Sequence, residues 1–174
     1  MKSINQKLRA AIESELSAPR IDGFWWQYSL TERSAREPSA VSLLHITRDR
    51  RGGLELTGRS WQENGTLSAR YWSVATREGS DGASIFYYWN GERPMDPNAP
   101  QLEGTGEIKI ESADRGAGYF VTRANSDPSL NARTSGVYWR ANAQDLAILD
   151  ASDPQRRAAL IAERLRDWKS IAST

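Results

Sequence analysis

Three segments of the chain each place an arginine and an aromatic residue on the same face of a predicted strand. This combination could hold a flat, negatively charged ligand. On a strand, residues two apart share a face. The pairs are Arg70 with Trp72, Tyr119 with Arg123, and Tyr138 with Arg140. A ring can stack on a base while a guanidinium holds a phosphate. The predicted ligand-binding residues are Arg70, Trp72, Tyr88, Tyr119, Arg123, Tyr138 and Arg140. If these faces point outwards, they form solvated surface. Alternation along a strand does not tell whether a face points into the barrel or out of it.

His45 is the second candidate for chemistry, because it is the only histidine in the chain. It shares a strand face with Val41, Leu43 and Thr47, a setting in which a histidine is more often packed than catalytic. No Gly-x-Ser-x-Gly elbow is present to offer it a nucleophile. One histidine and scattered carboxylates show no metal-ligand spacing. A barrel enzyme that uses His45 as a base stays an alternative, and no cofactor or metal is predicted.

Composition narrows the possible classes of protein. The chain has 174 residues, 39% of them hydrophobic and 26% charged, which is typical of a single globular domain. Its formal net charge of +1 gives no reason to expect binding to long nucleic acids. The absence of cysteine excludes disulfides and thiolate catalysis. No apolar run approaches the roughly 20 residues of a membrane helix, and the N-terminus lacks the core of a signal peptide. We therefore expect a cytoplasmic protein that does not insert into a membrane.

Eight short segments with strand-like alternation lie between glycine-rich turns such as Asp49 to Gly53 and Asn64-Gly65. Strands at this regular spacing predict an up-and-down antiparallel barrel spanning residues 21–141. A barrel of eight strands is filled by side chains or holds one small ligand. The predicted strands are 21–30, 40–48, 54–61, 66–76, 83–89, 102–111, 117–123 and 135–141.

Two amphipathic segments flank the strands and predict an N-terminal helix at 3–17 and a C-terminal helix at 153–171. The first has an apolar residue at every fourth position, and the second begins at Asp153-Pro154, a capping residue followed by proline. Either helix could bind a partner protein or a second copy of the chain. The apolar positions are Ile4, Leu8, Ile12 and Leu16 in the first, and Leu160, Ile161, Leu165, Trp168 and Ile171 in the second.

Gly23-Phe24-Trp25 stands where the first helix gives way to the strands. The glycine would let the backbone bend past one mouth of the barrel. The tryptophan would then plug this mouth, with its indole N–H donated to a carbonyl.

The order of these landmarks resembles a known family over residues 22–141. The matching pieces are Gly23-Phe24-Trp25, Tyr87-Tyr88-Trp89-Asn90-Gly91-Glu92-Arg93-Pro94, Gly104-Thr105-Gly106, Gly118-Tyr119-Phe120 and Gly136-Val137-Tyr138-Trp139-Arg140. The pattern is similar to the lipocalin-like β-barrel sensing domain of membrane-anchored effectors in bacterial cyclic-oligonucleotide antiphage (CBASS) systems. The resemblance implies an eight-stranded lipocalin-like barrel, a cyclic oligonucleotide as ligand and a role in antiviral defence. Family members carry two N-terminal membrane helices that this chain lacks, so a membrane-disrupting role is not implied.

Four functions are therefore open. The leading hypothesis is non-enzymatic binding of a nucleotide or cyclic oligonucleotide, for example a cyclic dinucleotide, inside the barrel. The alternative is a lipocalin-type carrier of an apolar small molecule. The carrier would have its arginines outside and would turn Leu43, Leu56, Ile85 and Ile108 inwards. The others are the His45 enzyme and an interaction module that works through the terminal helices.

Overall fold

The structure is a computed structural model that describes residues 20–30, 40–96, 98–123 and 133–172. Eight antiparallel strands follow one another around a closed barrel, in which β8 pairs with β1. The strands are β1 (Gly23–Leu30), β2 (Ala40–Arg48), β3 (Leu54–Gln62), β4 (Leu67–Glu78), β5 (Ser84–Glu92), β6 (Leu102–Ile110), β7 (Arg115–Arg123) and β8 (Arg133–Arg140). Two helices follow, α1 (Ala143–Asp150) and α2 (Pro154–Ala172).

The predicted fold, a mainly β chain closed into an eight-stranded antiparallel barrel, is confirmed. The largest error in a strand boundary is at the end of β5, predicted at 89 and observed at Glu92. Helix α1 has no counterpart in the prediction, which placed one helix at 153–171. The predicted N-terminal helix at 3–17 lies outside the described residues.

The first hydrophobic cluster fills one half of the barrel interior. Residues directly opposite one another in an antiparallel pair share a face, so the register of β1 to β8 identifies the inward side chains. This filled half is built from side chains that are fully buried or nearly so. They are Trp25, Leu44, Ile46, Leu54, Leu56, Ile85, Ile108, Ile110 and Tyr138.

The second hydrophobic cluster lies outside the barrel, between α2 and the outer wall of β1 to β3. Trp26, Leu43 and Trp61 point away from the interior and pack in the same cluster as Ile161 and Trp168 of α2. The C-terminal helices therefore cover one wall of the barrel. Leu43, which the carrier hypothesis placed inside, belongs to this outer cluster.

Helix α1 begins at a cap formed by Asn142, whose side chain accepts a hydrogen bond from the backbone N–H of Asp145 at 2.8 Å. Asp145 is buried and accepts from Trp26 Nε1 at 2.8 Å. It also accepts two bonds from the Arg164 guanidinium, at 3.1 and 3.0 Å. One carboxylate thus joins α1 to the barrel wall and to α2.

Candidate functional site

Trp25 closes one end of the barrel, as predicted from Gly23-Phe24-Trp25. The side chain is fully buried, and its Nε1 donates to the Ile21 carbonyl at 2.9 Å. The Arg140 guanidinium lies 3.9 Å from the centroid of the indole ring. Gly23 has a φ of +125°, and a Cβ built there would lie 2.3 Å from the guanidinium. Only glycine fits at this position, because a side chain would collide with Arg140 and require a rare backbone conformation.

The inward residues change in character halfway along the barrel. Beyond the filled half most of them are small or polar, and they are partly exposed although they face the interior. These partly exposed side chains lie towards the end of the barrel opposite Trp25, and we call the space that they border the recess. The recess is lined by Ser42, Ser60, Ala69, Tyr71, Leu102, Phe120, Thr122 and Thr134.

A chain of hydrogen bonds lies between the recess and the filled half. Gln27 is its centre, because its Nε2 donates to the Tyr138 hydroxyl at 3.3 Å and its Oε1 accepts from the Tyr71 hydroxyl at 3.2 Å. Further hydrogen bonds join Tyr71 to Ser42 and Tyr138 to Tyr87. Burial raises the pKa of Tyr71 and that of Tyr138 above their usual range. The interior therefore disfavours negative charge at these hydroxyls.

Trp89 borders the recess and has an indole N–H for which the structure gives no hydrogen-bond partner. Its ring contacts Tyr71 edge-on, with centroids 6.2 Å apart. It also lies against Gly104, where an added Cβ would come within 2.9 Å of the indole. An aromatic side chain on one strand therefore occupies the space left by a glycine on the next, which explains the glycines of β6 by close packing.

The seven predicted ligand-binding residues do not converge. Five of them lie on the outer wall of β4 to β7, as the strand registers show. Two of their arginines are already paired, Arg70 with Glu92 at 4.0 Å and Arg123 with Glu103 at 3.9 Å. The five are Arg70, Trp72, Tyr88, Tyr119 and Arg123.

The other two predicted residues point into the barrel and have structural partners there. Tyr138 is fully buried in the filled half. Arg140 closes the end opposite the recess, where it donates to the carbonyls of Ala113, Asp22 and Arg20. Arg70, Arg123 and Arg140 therefore do not meet in one mouth of the barrel, as was expected. Alternation shows which residues of a strand share a face, but it does not show whether that face points into the barrel.

His45 lies on the outer face of β2, where its ring stacks on Phe24 with centroids 3.8 Å apart and planes 3° apart. Burial lowers its pKa below the usual 6.5, and the positive charge of Arg59 adds to this effect. The partners that the structure gives His45 include no carboxylate that could orient it as a base. Its position does not support the enzyme alternative.

The residues that line the recess were missed, although their signal is visible in the sequence. Glycines on one strand and aromatic residues on its neighbour mark inward positions, because a ring needs the space that a glycine leaves. Tyr71 lies beside Gly58, and Tyr87 lies beside Gly106.

Comparison with solved structures shows likeness to redesigned β-barrels. One has a TM-score of 0.51 at 12% identity, covering 72% of this chain and 99% of that chain. A second, bound to DFHBI, has a TM-score of 0.46 at 15% identity, covering 69% and 94%. At these identities the likeness concerns the fold alone. No protein-family model matches the chain, and no curated protein matches it.

The described part of the chain shows neither a membrane-spanning helix nor a metal-binding cluster. Neither α1 nor α2 has the length and apolar character needed to cross a bilayer. No group of three acidic or histidine side chains among the described residues is placed to hold a metal ion.

Proposed function

We propose that the protein binds an uncharged, planar small molecule in the recess of its barrel. The observation that carries this proposal is the change from a filled half to a half with partly exposed inward side chains. Barrels of eight strands are large enough to hold one small ligand. The filled half and the Trp25 plug supply the rigid floor on which such a ligand would rest.

The lining of the recess supports an uncharged ligand. Its polar groups are hydroxyls and an amide, from residues such as Ser42, Thr122 and Gln27, and its rings include Tyr71 and Phe120. The inward strand positions of this half that the structure describes carry no charged side chain. A phosphate among them would lose its hydration without gaining a cation, which costs several kcal/mol. This distribution, with Leu56, Ile85 and Ile108 inside and Arg70 and Arg123 outside, agrees with the carrier alternative.

A nucleotide or cyclic oligonucleotide is the second candidate, supported by the resemblance to the CBASS sensing barrels. The rings of Tyr71, Trp89 and Phe120 offer stacking surfaces for bases inside the barrel. Its phosphates would have to lie outside the uncharged lining, at the rim of the recess. A role in bacterial antiviral defence and a cytoplasmic location belong to this candidate.

Calorimetric titration of the full chain tests both candidates. The panel contains an uncharged planar aromatic ketone such as 2-acetylnaphthalene, a fatty acid, a haem, and cyclic di- and trinucleotides. We expect heat of binding with the uncharged aromatic compound and none with the nucleotides. Heat with a cyclic nucleotide alone would replace the proposed ligand class by the second candidate, and no heat with any compound would overturn ligand binding.

A matched pair of variants locates the ligand. Thr122→Trp fills the recess, whereas Thr57→Trp makes the same exchange at an exposed position on the outer face of β3. We expect Thr122→Trp to abolish binding and Thr57→Trp to leave it unchanged. Binding that survives Thr122→Trp would place the ligand elsewhere.

A further inference from the structure

A groove of about 340 Å³ lies on the outer wall of β4 to β7, the wall that the C-terminal helices leave uncovered. Tyr88 of β5 lines it together with Thr105 and Gly106 of β6, where the side chains are small. Arg77 of β4 lines it as well and carries the only charge among the lining residues. The groove therefore combines an aromatic ring, a surface of little bulk and one cation.

Tyr88 offers its ring to the groove. Its hydroxyl donates to Glu103 at 2.7 Å, which fixes the side chain, and the residue is still 37% exposed. Two other outward rings line the groove, but each is stacked with an arginine: Tyr119 with Arg133, and Phe86 with Arg77. Tyr88 is therefore the outward ring of the groove on which a flat ligand can stack.

Arg77 is placed to hold an acidic group. Its guanidinium lies 4.9 Å from the centroid of Phe86. A stacked guanidinium uses its face for the ring, and its N–H groups stay available in its plane. Among the described residues, no carboxylate lies within ion-pair distance of Arg77, whereas Arg70 on the same strand is paired with Glu92. The N–H groups of Arg77 are thus available to a carboxylate in the groove.

The register of β4 and β5 relates the ring to the cation. Tyr88 pairs with Ala75, and Arg77, two residues further along β4, pairs with Phe86. Arg77 and Tyr88 are therefore diagonal neighbours, which lie about 7–8 Å apart at the backbone and within reach of long side chains. Glu107 of β6 pairs with Phe86 on its other side and would repel a second acidic group there. A ligand that suits this arrangement has one ring system and one acidic group at its β4 end.

We propose that this groove is a second binding site, separate from the recess, for a flat aromatic molecule with a single carboxylate. The ring system stacks on Tyr88 beside Thr105 and Gly106, and the carboxylate accepts hydrogen bonds from Arg77. The site does not depend on the function proposed for the barrel interior.

Calorimetric titration with 2-naphthoate and with 2-acetylnaphthalene tests this site, because the two probes share one ring system and differ mainly in charge. Both are titrated into wild type and into Thr122→Trp, in which the recess is filled. In Thr122→Trp we expect naphthoate to bind and the ketone to bind about fivefold more weakly or less, as for the loss of one exposed ion pair. Equal affinity of the two probes in this variant, or no binding of naphthoate to wild type at millimolar concentration, would overturn the proposal.

Four single variants of the full chain assign the contacts. Arg77→Met should weaken naphthoate binding about fivefold, and Tyr88→Leu should weaken it because the ligand loses its stacking partner. Arg70→Met is the control for charge, because Arg70 lies on the same strand but is paired with Glu92. Trp139→Leu is the control for the ring, since Trp139 is 40% exposed but does not line the groove. Equal losses with Arg70→Met and Arg77→Met, or with Trp139→Leu and Tyr88→Leu, would reduce the binding to a general surface effect and contradict the site.

Discussion

At the scale of single residues, Trp25 shows how a large side chain is fixed from every side. Its indole is fully buried, its N–H is bonded to Ile21, and Arg140 covers its ring. Trp25→Ala would remove this packing and leave a cavity at the closed end. We expect the free energy of unfolding to fall by about 3–5 kcal/mol in urea denaturation.

Trp139 provides the control for this prediction. It stands next to Tyr138 on β8 but points outwards and is 40% exposed. Trp139→Ala should therefore cost much less than Trp25→Ala, about 1 kcal/mol or less. Similar losses in the two variants would mean that Trp25 does not close the barrel.

His45 makes stability depend on pH in a predictable direction. Its pKa is lowered in the folded chain by burial and by Arg59, whereas the unfolded chain keeps the usual value of 6.5. As the pH falls below 6.5, the unfolded chain takes up the proton first, so the folded state loses stability until the pH reaches the lowered pKa. Above 6.5 this residue adds no pH dependence. The melting temperature of wild type should fall more between pH 7.5 and pH 5 than that of His45→Gln, and equal falls would contradict the shift.

The candidate site was the least predictable feature at this scale. The periodicity of Arg70 and Trp72 correctly places them on one face, but only strand pairing reveals that this face is the outer one. Which face of a strand points into the barrel is decided by the side chains that it packs against from the other strands. This depends on the register of all eight strands and on which wall the helices cover.

At the scale of elements, the Asp145 carboxylate couples α1, α2 and the barrel wall. Asp145→Ala would leave the Trp26 N–H unpaired and would remove two hydrogen bonds from the partly buried Arg164 guanidinium. Breaking a buried pair from one side costs about 3–5 kcal/mol. We expect a loss near the lower end, because Arg164 keeps its bond to Asp167 at 2.6 Å.

A double-mutant cycle measures this coupling in urea denaturation. The double variant Asp145→Ala/Arg164→Met should lose less stability than the sum of the two single variants. Asp167→Ala is the control, since this carboxylate is 47% exposed and such pairs contribute about 1 kcal/mol or less. Additive losses would show that Asp145 and Arg164 do not act as a unit.

The strands could be predicted because each carries its own signals, which are alternation along the segment and turn residues at its ends. Gly52 and Gly65 adopt positive φ in the two turns where glycine was expected. Helix α1 could not be predicted in the same way. It has eight residues, and its buried Asp145 is a polar residue at a position that a helical pattern would assign to the surface. Its stability comes from tertiary contacts, which local sequence does not encode.

At the scale of the whole molecule, the barrel combines a half filled by buried side chains with a half whose inward side chains are partly exposed. The two halves should respond in opposite ways to larger side chains. Ile85→Phe adds volume where the interior is already close-packed, and such overpacking typically costs about 1–3 kcal/mol. Ala69→Leu adds apolar volume to the recess, where the inward residue is partly exposed and we expect the new side chain to be accommodated.

We therefore expect Ala69→Leu to leave the midpoint of urea unfolding unchanged or to raise it, and Ile85→Phe to lower it. The slope of the free energy of unfolding against urea concentration should be similar in the two variants. The same Ala69→Leu variant should bind the aromatic ketone more weakly than wild type, because the ligand and the leucine would occupy the same space. If Ala69→Leu lowers the midpoint as much as Ile85→Phe does, the recess is already filled by protein. Ligand binding inside the barrel would then be excluded.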